Sequence, residues 1–236
     1  VTRDVLAALV AALAAKRPVV LVTRLETGDA RLLDPFSPMA GEPPDVAAAA
    51  REAALRDTSA VLEAREGRLF LRAYLPPVRL VVIGAVHVAQ ALAPMARLAG
   101  YEVIVVDPRR AFATEARFEG VRLERAWPDE ALARLGLDRR TAVVTLTHDP
   151  KIDDPALVAA LRSDAFHVGA LGSRKTQAAR RERLARAGVP EAALARLRGP
   201  VGLALGARTP GEIAVSILAE LVGALRAGPA ARPGGA

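Results

Sequence analysis

Four short stretches of this chain set glycine, hydroxyl, imidazole, carboxylate and guanidinium groups at spacings suited to an anionic ligand. The first, Gly84-Ala85-Val86-His87-Val88-Ala89, follows an apolar run. A dinucleotide-binding turn asks there for glycine at the first and third places and Gly or Ala at the sixth. Gly84 and Ala89 comply, but Val86 stands where glycine would let backbone amides approach a pyrophosphate. Val86 disfavours NAD(P), and the turn Gly84, Val86, His87, Val88 is expected to form one wall of a site that receives its ligand differently. Asp107, 23 positions after Gly84, has nearly the spacing at which an acid holds a ribose, and Arg109 beside it meets either a phosphate or only solvent. The alternative for Asp107-Pro108 is a plain turn.

Thr147-His148-Asp149, with Asp153 and Asp154 behind it, brings polar groups to the end of another apolar run. Hydrogen bonding to a ligand by Thr147, His148 and Asp149 is favoured over a metal site, because carboxylates here are expected to cap a helix from about Pro155. Gly172 and Ser173 precede Arg174 and Lys175, with Ser173 as an expected N-cap. Cations in a first helical turn oppose the helix dipole unless an anion is near, so Arg174 and Lys175 are read as phosphate-facing. The competing reading is a solvated basic helix continuing through Arg180, Arg181 and Arg183. Further on, Thr209, Pro210 and Glu212 form a capping box, leaving Gly206 and Arg208 as an additional anion-binding approach. His167, inside an apolar run, reads as structural.

The elements that must carry these groups fall into two patterns. Residues 1–75 predict a small α+β domain: a helix over Thr2 to Arg17, strands Val19 to Arg24 and Ala30 to Leu33, a helix capped by Asp45, and a hairpin around Gly67. Pro76 and Pro77 then give way to strand and helix in alternation, with strands at Leu80 to Ile83, Val103 to Val106, Ala142 to Leu146 and Phe166 to Val168. That alternation predicts an α/β fold over 76–227, a Rossmann-like, mostly parallel sheet with helices on both faces, binding ligands beyond the carboxyl ends of its strands. A Gly/Pro/Ala tail, 228–236, is expected to be disordered.

Composition removes several other functions. The chain has 236 residues, 52% hydrophobic, with no cysteine, so it forms no disulfide, thiolate metal site or persulfide of its own. Its net charge is +7, but the basic residues are scattered and aromatics make up only 3%, against nucleic-acid binding. No apolar run suits a membrane helix and no signal peptide is legible, so a cytoplasmic location is expected.

The Gly-Ala-Val-His-Val-Ala stretch, Thr-His-Asp with Asp153, Gly-Ser-Arg-Lys, and Gly-Ala-Arg-Thr-Pro followed by Glu-Ile-Ala-Val-Ser-Ile-Leu-Ala-Glu together resemble the XdhC/CoxI family over Val78 to about Leu225. These are accessory proteins of xanthine and carbon monoxide dehydrogenases. The resemblance implies a cytoplasmic maturation factor, a chaperone rather than a turnover enzyme. Such a factor binds molybdenum cofactor (molybdopterin or a nucleotide form of it) during sulfuration by a separate cysteine desulfurase, and delivers it to an apo-molybdoenzyme. A homodimer is compatible with it. The chain departs from the family in having Val86 for a glycine, Ala204 for a common aspartate, and no Cys-containing Gly-Gly segment. Two other readings remain open: an NAD(P)-dependent oxidoreductase with His148 as acid/base, and a scaffold that only bridges desulfurase and dehydrogenase.

Overall fold

A computed structural model describes residues 1–227, and the chain divides into two compact units, Val1–Pro76 and Pro77 onward. The tail 228–236, expected to be disordered, lies outside the described residues.

The first unit runs α1 (Arg3–Ala14), β1 (Val19–Arg24), β2 (Ala30–Leu33), α2 (Pro44–Arg56), β3 (Ser59–Ala64), β4 (Gly67–Tyr74). Its four strands form an antiparallel sheet in the order β2-β1-β4-β3. Side chains alternate across a strand. Val20, Val22, Leu69 and Leu71 accordingly pack against Val46, Ala50 and Ala54 of α2, while Val19 turns the other way to meet Leu9 and Ala12 of α1. Asp45 is not the N-cap of α2. Pro43 holds that place without a side-chain bond, because Pro44 fits the first helical position, and Asp45 stays in the first turn, where its charge suits the dipole.

The second unit runs β5 (Arg79–Ile83), α3 (His87–Leu98), β6 (Glu102–Val106), β7 (Arg122–Glu124), α4 (Pro128–Leu135), β8 (Thr141–Thr145), α5 (Pro150–Leu161), β9 (His167–Ala170), α6 (Arg174–Arg186), α7 (Glu191–Leu194), β10 (Leu197–Arg198) and α8 (Pro210–Ala227). All six strands are parallel, ordered β10-β9-β8-β5-β6-β7. This is the doubly wound order of Rossmann folds, whose winding reverses between β5 and β8.

Period two again builds the core, now on both faces. Leu80, Val82, Val103, Val105, Ala142 and Val144 pack with α3 and α8, while Val81, Ile83, Ile104, Val106 and Val143 pack with α4, α5, α6 and α7. One helix departs from expectation: α5 begins at Pro150 rather than near Pro155, with Asp149 as its N-cap. Ile83 pairs with both Val106 and Thr145, and Thr145 with Ala170, so the turns that follow these strands emerge at one level.

Candidate functional site

The turn after β5 is fixed by its backbone. Gly84 has φ +108° and donates its amide to Val106 O at 2.8 Å. A Cβ there would lie 2.5 Å from Thr147 Cγ2 and 3.3 Å from Thr147 N, so only glycine lets the β5 and β8 turns meet at the reversal point. Val86 is the N-cap of α3, with φ −93°, a value any residue adopts. Its side chain packs, half-buried, against the apolar cluster beneath α3 and α8. The backbone therefore demands no glycine at the third place of the turn. Val86 also brings no side-chain acceptor to the helix start. Gln90 N is bonded to Val86 O, whereas the amides of Val86, His87 and Val88 have no acceptor among the described residues. The His87 ring is exposed beside them.

Asp107, level with this turn, is fully buried. Oδ2 accepts Ala85 N at 2.8 Å and Arg109 Nη2 at 2.8 Å, and Oδ1 accepts Arg109 N and Nε at 2.9 Å each. Burial works to raise the pKa of this carboxyl, but the Arg109 guanidinium and the two amides outweigh it and hold it below the usual range. Arg109 is raised in turn by its bond to Asp107, with Asp149 and Asp153 adding to the effect. Its guanidinium lies 4.4 Å from the centre of the exposed Phe112 ring.

Across the reversal point, His148 has φ +63° and an exposed side chain. Asp149 caps α5 by accepting Lys151 N at 2.9 Å, and its own amide donates to Thr147 Oγ1 at 3.0 Å. Asp153 is buried inside α5, where Oδ1 accepts Thr147 Oγ1 at 2.7 Å and Oδ2 accepts His148 N at 3.2 Å. Its charge partner is Arg180, equally buried, with Nη2 at 3.3 Å. Burial pushes Asp153 up and Arg180 down from their ordinary values.

Arg180 overturns the reading of α6 as a solvated basic face. Nη1 donates to Leu171 O at 3.1 Å and to Gln177 Oε1 at 2.8 Å, and Gln177 Nε2 donates to Ala170 O at 2.9 Å. Arg181 donates to Leu194 O and Leu197 O, and Arg183 grips Asp154. One buried guanidinium thus ties the β8–α5 turn to the β9–α6 turn. On the latter, Ser173 caps α6 by accepting Thr176 N at 3.2 Å, and Gly172 takes φ +135°. Arg174 and Lys175 are exposed in the first turn and make no ion pair among the described residues.

The fourth stretch stands apart. Thr209 accepts Glu212 N at 3.2 Å, and Glu212 Oε2 accepts Thr209 N at 3.0 Å and Arg208 N at 2.7 Å, completing the capping box of α8. Gly206, at φ +71°, and the Arg208 side chain are exposed, with no bond to the other three turns among the described residues. His167 is buried at the start of β9, its Nε2 without a hydrogen bond and 3.8 Å from Glu220. Burial, with a contribution from Arg198, pushes it down to about 4. Among the described residues no group of three or more His, Asp or Glu converges to hold a metal, and no helix is long and apolar enough to cross a membrane.

Sequence reasoning brings the first three stretches to one sheet edge but misses Arg180 and Gln177. Their signal is present, since Arg180 and Gln177 repeat on the face of α6 that also carries buried Leu184.

A family model described as the XdhC Rossmann domain matches residues 80–221. The chain is 32% identical over 148 residues to the molybdenum cofactor insertion chaperone PaoD of Escherichia coli K12, covering 63% of this chain and 40% of that protein. It is 32% identical over 155 residues to a protein of Bacillus subtilis 168 named as a probable component of xanthine dehydrogenase, covering 65% and 45%. It therefore spans less than half the length of these relatives. A solved structure described as a xanthine dehydrogenase from Bacillus halodurans superposes with a TM-score of 0.70 and 25% identity, over 95% of this chain and 67% of that one.

Proposed function

This chain belongs to the XdhC family, and from that premise we propose that it is a molybdenum cofactor-binding accessory protein acting in the cytoplasm. In this reading it holds the cofactor while a separate cysteine desulfurase sulfurates it, then inserts it into an apo-molybdoenzyme of the xanthine or carbon monoxide dehydrogenase type. The name of the Escherichia coli relative supports the cofactor, and those of the two Bacillus proteins support the recipient.

The observation that carries the reading is the start of α3, where three amides face the reversal point of the sheet with no side-chain acceptor. Helix starts of this kind take phosphate oxygens, and molybdopterin ends in a phosphate. The chemistry of the donors fits: the turn at 84–88 offers amides, Arg109 a guanidinium, and His148 and Ser173 polar groups on adjoining turns. In this reading Arg174 and Lys175 add positive charge at the start of α6, and Gly206 and Arg208, before α8, offer a further anion-binding approach. The cofactor, once delivered, supplies redox chemistry to the recipient enzyme. This chain's residues bind and orient it. Having no cysteine, the chain offers no thiolate to molybdenum or to sulfur, which supports a separate protein as the sulfur source.

Anaerobic titration of the purified chain with released molybdenum cofactor is expected to show saturable binding, and a deletion strain to accumulate immature dehydrogenase. Absence of saturable binding together with normal maturation would rule the proposal out.

A further inference from the structure

In dinucleotide folds the acid after the second strand accepts hydrogen bonds from the two hydroxyls of a ribose. Asp107 stands at that place, yet it has nothing left to accept with. A carboxylate offers about four lone-pair positions, and those of Asp107 are met by Ala85 N and by Arg109 N, Nε and Nη2, at 2.8 to 2.9 Å. None of its side chain reaches solvent. A diol could bind only by displacing a bidentate, charge-assisted pair from a buried carboxylate.

What faces outward instead is a set of donors. The Arg109 side chain is 34% exposed, and its Nη1 has no acceptor among the described residues. Ala85 N and Arg109 Nη2 share one oxygen of Asp107, each at 2.8 Å, so the guanidinium lies within twice that distance of the β5 turn. The guanidinium carbon lies over the Phe112 ring, 4.4 Å from its centre. Guanidinium and backbone N–H groups donate and do not accept.

We propose that Arg109 is the specificity-determining residue of this crevice: by saturating Asp107 it closes the site to a ribose diol and presents a donor-only subsite to a phosphate ester. The proposal rests on the cofactor-binding reading above and names the group that the site selects. Two sources carry such a group, the phosphate of molybdopterin and the 2′-phosphate of NADPH. NADH carries the free diol at the corresponding ribose.

The test is an anaerobic titration of the full chain with released molybdenum cofactor, NADPH and NADH, repeated with Arg109→Ala and Arg109→Lys. The wild type is expected to bind the cofactor, to be competed by inorganic phosphate, and to ignore NADH. Arg109→Ala removes the donors and frees Asp107, so cofactor affinity should fall roughly ten- to a hundredfold while NADH becomes a competitor. Arg109→Lys keeps the charge without the fork and should fall between; it carries the test alone should the alanine variant not fold. Competition by NADH equal to that by NADPH on the wild type, or unchanged cofactor affinity in both variants, overturns the proposal while leaving the cofactor-binding reading intact. Refusal of the cofactor, with NADPH bound through Arg109, removes the molybdenum reading and keeps the subsite. Binding of no phosphate-bearing probe removes both.

Discussion

The turns after β5 and after β9 do the same topological job, each leading from a buried parallel strand into a helix start at one sheet edge, but they are built from different materials. The β5 turn is held mainly by backbone and apolar packing, Gly84 against Thr147, Val86 against the core, Ala89 and Leu92 beneath, with one buried carboxylate, Asp107, on Ala85 N. The β9 turn is held by buried polar groups, Arg180, Gln177 and Asp153, and caps itself with Ser173. The difference teaches where free donors are found. A polar frame consumes its own hydrogen bonds, whereas an apolar frame leaves the amides of α3 for something else.

The largest expected effect attacks the polar frame. Arg180→Met leaves Asp153 charged and buried without its partner, which should cost about 3–5 kcal/mol, read as a lower urea midpoint. A loss below about 1 kcal/mol would mean that the ion pair is not what holds the β9 turn.

Next is acid. His167 in β9 has its folded pKa depressed to about 4 from an ordinary value of 6.5, so between these values the unfolded chain binds a proton that the folded chain refuses. Its contribution to stability is therefore full above about pH 6.5 and lost as pH falls toward 4, by about 3 kcal/mol. Burial raises Glu220, which acts in the opposite sense, so the comparison must be between wild type and His167→Gln unfolded in urea across pH 4 to 7. Parallel curves would remove His167 as the cause.

Gly84→Ala probes the apolar frame. At φ +108°, with Thr147 Cγ2 at 2.5 Å, the methyl should cost about 1–3 kcal/mol and loosen cofactor binding. Wild-type stability together with wild-type binding would show that the two turns do not need to meet.

The smallest effect on stability comes from making the two turns alike. Val86→Ser gives α3 a cap worth about 0.5–2 kcal/mol and loses a comparable amount of half-buried apolar surface. Stability should change little, while affinity for the cofactor drops because the amides have found an internal acceptor. Unchanged affinity would place the phosphate elsewhere than α3.

Much of the fold is legible because the strands that matter are long enough to show apolar runs. Leu80 to Ile83 and Ala142 to Leu146 fall within a residue or so of β5 and β8, and Ser173 and Thr209 announce their helices as caps. β7 and β10, three and two residues long, carry no period to detect. The start of α5 escapes the sequence because Pro155 draws attention from Asp149-Pro150, itself a cap followed by proline at the first helical position. Of the candidate site, the sequence reveals which residues stand at strand ends, but not their partners. Asp107 with Arg109 is adjacent enough to notice, yet its saturation depends on Ala85 N, which only the sheet brings near. Asp153 with Arg180 spans two helices, so the spacing of Gln177, Arg180 and Leu184 marks a buried face of α6 without revealing the partner. Val86 looks obstructive because a pattern of glycines records side chains and not torsions.

Asp153 holds Thr147 and the His148 amide with one carboxylate while Arg180 holds Asp153 and the Leu171 carbonyl. The two turns are consequently one unit in time as well as in space: neither opens to solvent without releasing the same ion pair. Whatever steadies His148 also steadies the approach to Ser173, and by reciprocity whatever grips the α6 side changes the grip at His148.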